Sequence, residues 1–173
     1  MPDQPKVSII TPSFNQARFL DQTMRSVLEQ DYPNIEYIVM DGGSSDGSLE
    51  IIQKYADRLA YWQSQKDKGQ TDALNQGFAR ATGEILAWLN SDDILYPGAV
   101  SAAVRQLQYH PEVGMVYGDC HWINAEGKVI GNFPAAQTNL KKLRRGYVHI
   151  PQQTSFFRTE LWRKVGPLDD SFY

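Results

Sequence analysis

Asn90-Ser91-Asp92-Asp93 places two adjacent carboxylates directly after Ile85-Leu86-Ala87-Trp88-Leu89, an apolar run of the kind that forms a strand buried on both faces. In open α/β sheets ligands collect at the carboxyl ends of such strands, so Asp92 and Asp93 are expected at the rim of a ligand crevice. Two like charges side by side repel each other and resist desolvation unless a cation or hydrogen-bond donors compensate them. Hard oxygen ligands of this type suit Mg²⁺ or Mn²⁺, and such a metal would serve a pyrophosphate. The plain alternative is that Ser-Asp-Asp merely opens the next helix, since Ser and Asp are good N-caps and Pro97 stands near a helix start.

Other polar stretches point the same way. Asp41 is followed by Gly42-Gly43-Ser44-Ser45-Asp46-Gly47, a turn between a strand and a helix where backbone N–H groups can receive an anion or a base edge. Its glycines do not fit G-x-G-x-x-G and no Walker sequence occurs, so NAD and P-loop chemistry lose support. Pro12, Ser13 and Phe14 end the first strand, and a doubly wound sheet brings them beside Asp41 at the switch point. Phe14 can stack on a nucleobase there or pack in the core, the commoner fate of a phenylalanine. Lys66 to Asn75 is unusually polar for a strand-to-helix connection; it offers Asp67 and Asp72 to the same crevice, and part of it caps a helix near Thr71. Lys141, Lys142, Arg144 and Arg145 suit either a lid over a diphosphate or a solvated helix face. His110, His121 and His149 are scattered, and with Cys120 they make no zinc spacing.

The elements that must position these residues follow from hydrophobic period. Val7 to Thr11 and Ile35 to Met40 read as strands, and Ala60 to Trp62 as a short one. Ala17 to Gln30, the stretch after Gly47, and Thr71 to Ala81 carry apolar residues at helical spacing. Strands alternating with helices predict βαβ units and a parallel, Rossmann-like sheet with right-handed crossovers. After a helix near Ala99 to Tyr109 the pattern changes. Val113 to Gly118 reads as a strand, Trp122-Ile123 and Val129-Ile130 as a hairpin antiparallel to its neighbour, and Gln153 to Phe157 as a further strand. Gly131 to His149 is aperiodic apart from a short helix. The expected fold class is therefore α/β, a mostly parallel central sheet with helices on both faces and a smaller antiparallel part after residue 113.

Composition narrows the partners. With 42% hydrophobic and 21% charged residues, 173 residues suffice for one domain with a sizeable core. A formal net charge of −3 argues against nucleic acid as the main partner. One cysteine excludes an intrachain disulfide and fits a reducing compartment. The start of the chain lacks the apolar stretch of a secretion signal, and no run reaches transmembrane length.

Taken together, Val7-Ser8-Ile9-Ile10-Thr11-Pro12-Ser13-Phe14-Asn15, the Asp41 to Ser48 turn, Ala73-Leu74-Asn75-Gln76-Gly77 with Ala81-Thr82-Gly83-Glu84, and Asn90-Ser91-Asp92-Asp93 resemble, in that order and spacing, the family 2 glycosyltransferases of GT-A fold. Tyr117-Gly118-Asp119 and Gln153 to Arg158 resemble that family's acceptor-side half. The resemblance implies a single GT-A-like domain over residues 1–173, with a nucleotide-sugar-binding half (1–100) and part of an acceptor-side half (101–173). It implies inverting transfer of a sugar from a nucleotide diphospho-sugar to an acceptor hydroxyl, assisted by Mg²⁺ or Mn²⁺. Residue reading and resemblance together place Pro12, Ser13, Phe14, Asp41, Gly42, Gly43, Asp67, Asn75 and Asp92 on the nucleotide sugar and Asp93 on the metal.

The family's general base belongs to an acidic motif just after the segment resembling Gly166 to Tyr173. It is therefore expected beyond Tyr173, in which case the chain reads as truncated, with Asp169 and Asp170 as the late acids within it. Implied partners are a glycan or lipid-linked acceptor of cell-surface polysaccharide or glycoconjugate synthesis, in the cytoplasm, with peripheral contact at the inner membrane face open. Two other classes compete. A binding module without turnover would bind nucleotide sugar and transfer nothing. A sugar-nucleotide nucleotidyltransferase would carry a Gly-rich, Arg/Lys-containing loop after the first strand, which Pro12-Ser13-Phe14-Asn15-Gln16 does not resemble.

Overall fold

The computed structural model describes residues 4–147 and 149–172, so the readings made of Met1 to Asp3 and of Tyr173 lie outside the described residues. The first half alternates strand and helix as β1 (Val7–Ser13), α1 (Ala17–Leu28), β2 (Ile35–Asp41), α2 (Ser48–Lys54), β3 (Tyr61–Ser64), α3 (Gln70–Arg80) and β4 (Ile85–Trp88), followed by α4 (Ala99–Tyr109). These strands lie parallel in the order β3-β2-β1-β4. The strand order reverses between β1 and β4, so the switch point flanks β1 on the side away from Asp41, not between the two as expected. Ser13 and Asp41 are nonetheless direct register partners across β1 and β2.

The strands show no polar alternation because both faces are covered. Val7, Ile9, Tyr37, Val39, Ile85 and Ala87 pack with Leu20, Met24, Ile52 and Val104 of α1, α2 and α4. The residues between them, Ile10, Ile38, Met40 and Leu86, turn to the other face and meet Ala73, Leu74 and Phe78 of α3. α3 comes so close that a Cβ on Gly77 would stand 2.6 Å from Cγ2 of Ile10, so only glycine permits this seat.

β1 runs through Pro12 to Ser13 rather than stopping at the proline. The N–H of Val7 and the C=O of Ser13 bond on the β2 side, so the alternate residues Ile10 and Pro12 face β4. Pairing with β4 ends at Ile10, so the missing proline N–H falls where no strand needs it.

The second half contains β5 (Met115–Val116), β6 (Cys120–Ile123), β7 (Val129–Phe133), α5 (Leu140–Arg144), β8 (Phe156–Arg158) and α6 (Thr159–Val165). The antiparallel neighbour in the central sheet is β8, which pairs with β4 and β5. The expected hairpin forms between β6 and β7 but as a separate two-stranded sheet. The strand expected from Gln153 begins only at Phe156. Residues Gln152–Thr154 coil into a 3-10 turn instead, with the Gln152 amide donating to the carbonyl of Trp88 (2.8 Å). Among the described residues no helix is long and apolar enough to cross a membrane.

Candidate functional site

Two turns at the carboxyl edge of the sheet are laced into one floor. Asp41 is 1% exposed, and its carboxylate accepts from Gly43 N (3.1 Å), Ser44 N (2.9 Å), Ser64 Oγ (2.6 Å) and the Ser44 hydroxyl. Gly42 N donates to Ser13 O (2.8 Å). From the other turn, Asn15 takes the left-handed conformation (φ 52°), its N–H donating to Ser44 Oγ and its side-chain oxygen accepting from Ser45 N. The first N–H groups of α1 are also taken, Ala17 N by Asp46 Oδ2 (2.9 Å) and Gln16 N by Ser48 Oγ (3.2 Å). The N–H groups of Gly42 to Ser45, expected to receive an anion or a base edge, bond within the protein here, to Ser13 O, the Asp41 carboxylate and the Asn15 side-chain oxygen. Asp41 holds the turn together, and neither it nor Gly43 lines the crevice described next.

That crevice, of about 530 Å³, opens over the carboxyl ends of β1 to β4. Pro12, Ser13 and Phe14 form one wall, Gly42, Lys66 and Asp67 another, and Asn90, Ser91 and Asp92 a third. Phe14 is 61% exposed, which excludes the core reading for its ring. The Ser13 hydroxyl is buried without a hydrogen-bond partner, a state that costs about 1–3 kcal/mol unless a ligand satisfies it. Asp67 presses against Gly42, where a Cβ would come within 3.1 Å of its carboxylate, and also accepts from Gly69 N (2.8 Å). Asp72, by contrast, is spent on its own helix and the turn before it, accepting from Lys68 N and the Gln76 amide. Asn75 is also removed from the crevice: its amide donates to Leu168 O and accepts from Leu168 N, both at 2.9 Å, which ties α3 to the late chain.

The acidic stretch is not a helix cap, because α4 begins at Ala99 behind Gly98. It is a turn closed by Asp93 N donating to Asn90 O (3.1 Å) and anchored by buried Thr23 of α1. The Thr23 hydroxyl shares its proton between Ser91 O (2.9 Å) and Asp93 O (2.8 Å). Consecutive side chains of this turn reach different walls. Asp92 is exposed to the crevice, whereas half-buried Asp93 lines a neighbouring cavity of about 340 Å³ with Tyr96, Asp119, Cys120 and His121. Burial first, then the charge of Asp92, push the Asp93 carboxyl up to about 6, against a 3.3 Å bond from the Asn90 amide. Burial likewise raises the Cys120 thiol, helped by the charges of Asp93 and Asp119.

Among the described residues no three His, Cys, Asp or Glu side chains group to enclose a metal. The donor set nevertheless fits a hard cation that takes its remaining ligands from phosphate and water, the usual arrangement for Mg²⁺. The chain's own ligand would be Asp93, held by a single long hydrogen bond, with Asp92 facing the crevice beside it.

Neither Asp169 nor Asp170 lines the crevice or the cavity beside it. Asp169 is held below the usual carboxylate range by hydrogen bonds from Ser171, the wrong direction for a base at neutral pH. Three further residues carry the site without having stood out in sequence. Lys66 brings a cation to the crevice. Gln70 donates to Asn90 Oδ1 (2.7 Å), and Asn90 in turn donates to Gln152 Oε1 (3.2 Å), so the acidic turn is braced from α3 and from residue 152. The one signal for Gln70 and Lys66 was their place in an over-polar connection; Gln152 had none.

The sequence pattern of glycosyl transferase family 2 matches residues 8–166. An uncharacterised glycosyltransferase of Mycobacterium tuberculosis is 38% identical over 99% of this chain, which spans 66% of that relative's length. A Campylobacter jejuni protein, GalNAc(5)-diNAcBac-PP-undecaprenol beta-1,3-glucosyltransferase, is 34% identical over 75% of this chain and 42% of its own. In fold, the chain is similar to Staphylococcus aureus TarS in complex with UDP-GlcNAc (TM-score 0.76, 22% identity, 92% of this chain and 47% of that one). It is also similar to the mannosyltransferase PcManGT of Pyrobaculum calidifontis with GDP-Man and Mn²⁺ (TM-score 0.73, 22% identity, 98% and 49%). The parallel sheet, its antiparallel extension and these neighbours make the fold GT-A.

Proposed function

This chain belongs to glycosyl transferase family 2, and on that premise we propose that it binds a nucleotide diphospho-sugar and transfers the sugar, with inversion, to an acceptor hydroxyl. The observation that carries the reading is the convergence on one crevice of an exposed Phe14 ring, the unpartnered Ser13 hydroxyl and Asp92. A flat apolar face, a short hydroxyl donor and a carboxylate beside a cation are what a base, a ribose and a metal-bound diphosphate require. Residues 1–100 form the donor half in this reading and residues 101–173 part of the acceptor side.

Pro12, Ser13 and Phe14 hold the nucleoside against Gly42 and Asp67, and Lys66 faces the diphosphate. Asp93 would hold Mg²⁺ or Mn²⁺, which when bound neutralises the departing diphosphate, and Asp92 faces the nucleotide from the crevice wall. Thr23, Gln70 and Gln152 keep the acidic turn in place, so that its carboxylates need no rearrangement when charge develops. A lipid-linked acceptor is supported by the name of the Campylobacter relative, and a lipid-linked acceptor calls for peripheral contact with a membrane.

Calorimetric titration with UDP, GDP and dTDP, each with and without Mn²⁺, tests the reading. Metal-dependent binding of one nucleotide is expected, and Asp93→Ala is expected to weaken it by about a hundredfold, since a Lewis-acid metal contributes several kcal/mol at a phosphoryl group. The fold should survive, because Asp93 stands at a strand mouth outside both cores. Equal affinity of a folded Asp93→Ala protein in Mn²⁺ would refute the metal assignment, and no binding of any nucleotide would refute the donor site.

A further inference from the structure

Gly127 to Thr159 contains no Asp or Glu, in a chain whose formal net charge is −3. Lys141, Lys142, Arg144 and Arg145 lie in or beside α5 and are exposed. Elsewhere cations find carboxylates, as in Arg18–Glu126, Arg25–Glu29 and Lys54–Asp21, but among the described residues none of these four does. Lys142 Nζ donates to Gln137 O (2.7 Å), which satisfies a proton and leaves the charge uncompensated. Lys141, Lys142, Arg145, Asn139, Tyr147 and His149 line one cavity of about 440 Å³. None of them lines the nucleotide crevice, so the basic segment is not placed as the lid over a diphosphate that its charge suggested.

Apolar side chains are exposed in α5 itself and in the hairpin that this segment touches. α5 exposes Leu140 (63%) and Leu143 between its cations, and Tyr147 follows them. The rings of Phe133 and His149 lie 6.2 Å apart and join this segment to the β6–β7 hairpin, which exposes Trp122, Val129 and Ile130 (65%). A soluble polyanion would be met by cations alone. Cations interleaved with uncovered leucine, isoleucine and tryptophan suit an interface that is anionic at one depth and apolar a few ångströms further in.

We propose that the α5 cavity binds the phosphate headgroup of an anionic membrane lipid, with Leu140, Leu143 and the hairpin side chains entering the headgroup boundary. This deepens the membrane contact proposed above by giving it a surface and a lipid charge. It does not rest on sugar transfer, because the vesicle binding that tests it needs no nucleotide.

The test is sedimentation of the chain with phosphatidylglycerol-rich vesicles and with pure phosphatidylcholine vesicles, at low and raised salt. Binding to the anionic vesicles is expected, falling as salt rises. A Lys141→Gln, Arg145→Gln double variant should bind them about 30-fold more weakly, from the usual contribution of a basic side chain at an anionic surface. A Leu140→Ser, Leu143→Ser variant should lose the part of the binding that survives raised salt. Calorimetry with nucleotide on both variants should match the unmodified chain, which separates failure of this surface from failure of the donor site. Equal sedimentation with both vesicle types overturns the proposal, as does a double variant that binds unchanged. Saturation of the cavity by inorganic pyrophosphate without vesicle binding also overturns it, and would make the cavity a site for a soluble anion.

Discussion

The two turns under the nucleotide crevice and the surface around α5 treat polar groups in opposite ways. In the turns, polar groups are consumed within the floor itself: Asp41 by Gly43 and Ser44 of its own turn and Ser64 of β3, Asn15 by Ser44 and Ser45 of the facing turn, the start of α1 by Asp46 and Ser48. What is left to line the crevice is a short set: Ser13 with its buried, unpartnered hydroxyl, the Phe14 ring, Lys66, Asp67 and Asp92. Around α5 the surplus is on the outside, with cations lacking counter-charges and apolar side chains lacking cover. A floor whose polar groups satisfy one another is built before a ligand arrives, so binding need not order it. A surface with unmatched charge and apolar area is complementary to something extended.

Removing Asp41 is the strongest way to break that comparison. Asp41→Ala leaves the N–H groups of Gly43 and Ser44 and the hydroxyls of Ser44 and Ser64 without their acceptor in a buried place, a cost of about 3–5 kcal/mol. Urea unfolding should show that loss, together with loss of nucleotide binding. A cost under about 1 kcal/mol would mean that the turn is held by something other than its carboxylate. Next in size is Thr23→Val, nearly isosteric, which takes the shared proton from the carbonyls of Ser91 and Asp93. About 2 kcal/mol of stability should go, and Mn²⁺-dependent nucleotide affinity should fall with it although Thr23 touches no ligand. Stability lost with affinity intact would separate the anchor from the site.

Much of this arrangement was legible in the chain. The strands Val7 to Thr11, Ile35 to Met40 and the Ile85 run declared themselves because burial on both faces demands continuous apolar residues, and the helices between them by their period. The acidic tip and the Asp41 turn were legible as motifs. Their division of labour was not: whether a carboxylate faces a ligand or its own turn depends on partners such as Ser64 and Asn15, brought near only by the fold. The same holds for Asn75, which a motif assigned to the site and Leu168 claims. Gln152 braces the acidic turn from the far end of the sequence and left no local trace, because a glutamine before a short strand has no pattern of its own. Pro12 sits within β1 without interrupting it, since a proline stops a strand only where its N–H would face a partner.

Phe14→Ala sharpens the comparison from the ligand's side. The ring is already in solvent, so folding stability should change by less than about 0.5 kcal/mol. Loss of a stacking face should weaken nucleoside diphosphate binding by about 1–2 kcal/mol while leaving its Mn²⁺ dependence intact. Substantial unfolding would return the residue to the core, and unchanged affinity would move the base elsewhere in the crevice.

The smallest expected effect concerns a carboxylate of the acidic turn whose charge the fold compensates poorly. Asp93 titrates near 6 in the folded chain instead of near its usual 3.8. A carboxyl whose folded pKa is raised binds its proton more tightly folded than unfolded, so its ionisation costs stability. That cost is absent below about 3.8, grows as pH rises through 6, and is complete above it. Asp93→Asn keeps the shape and removes the charge, so thermal unfolding without metal should show the variant more stable at pH 8. After discounting for the solvent that reaches this half-buried group, the gain should be about 1 kcal/mol. It should shrink as pH falls through 6 and be gone near pH 4. Mn²⁺ with nucleotide should reverse the ranking at pH 8, because only the unmodified chain has the charge that the cation answers. A variant no more stable than the unmodified chain at pH 8 would show that Asn90 and the surrounding solvent already compensate Asp93, and that the donor side carries no unmet charge of its own.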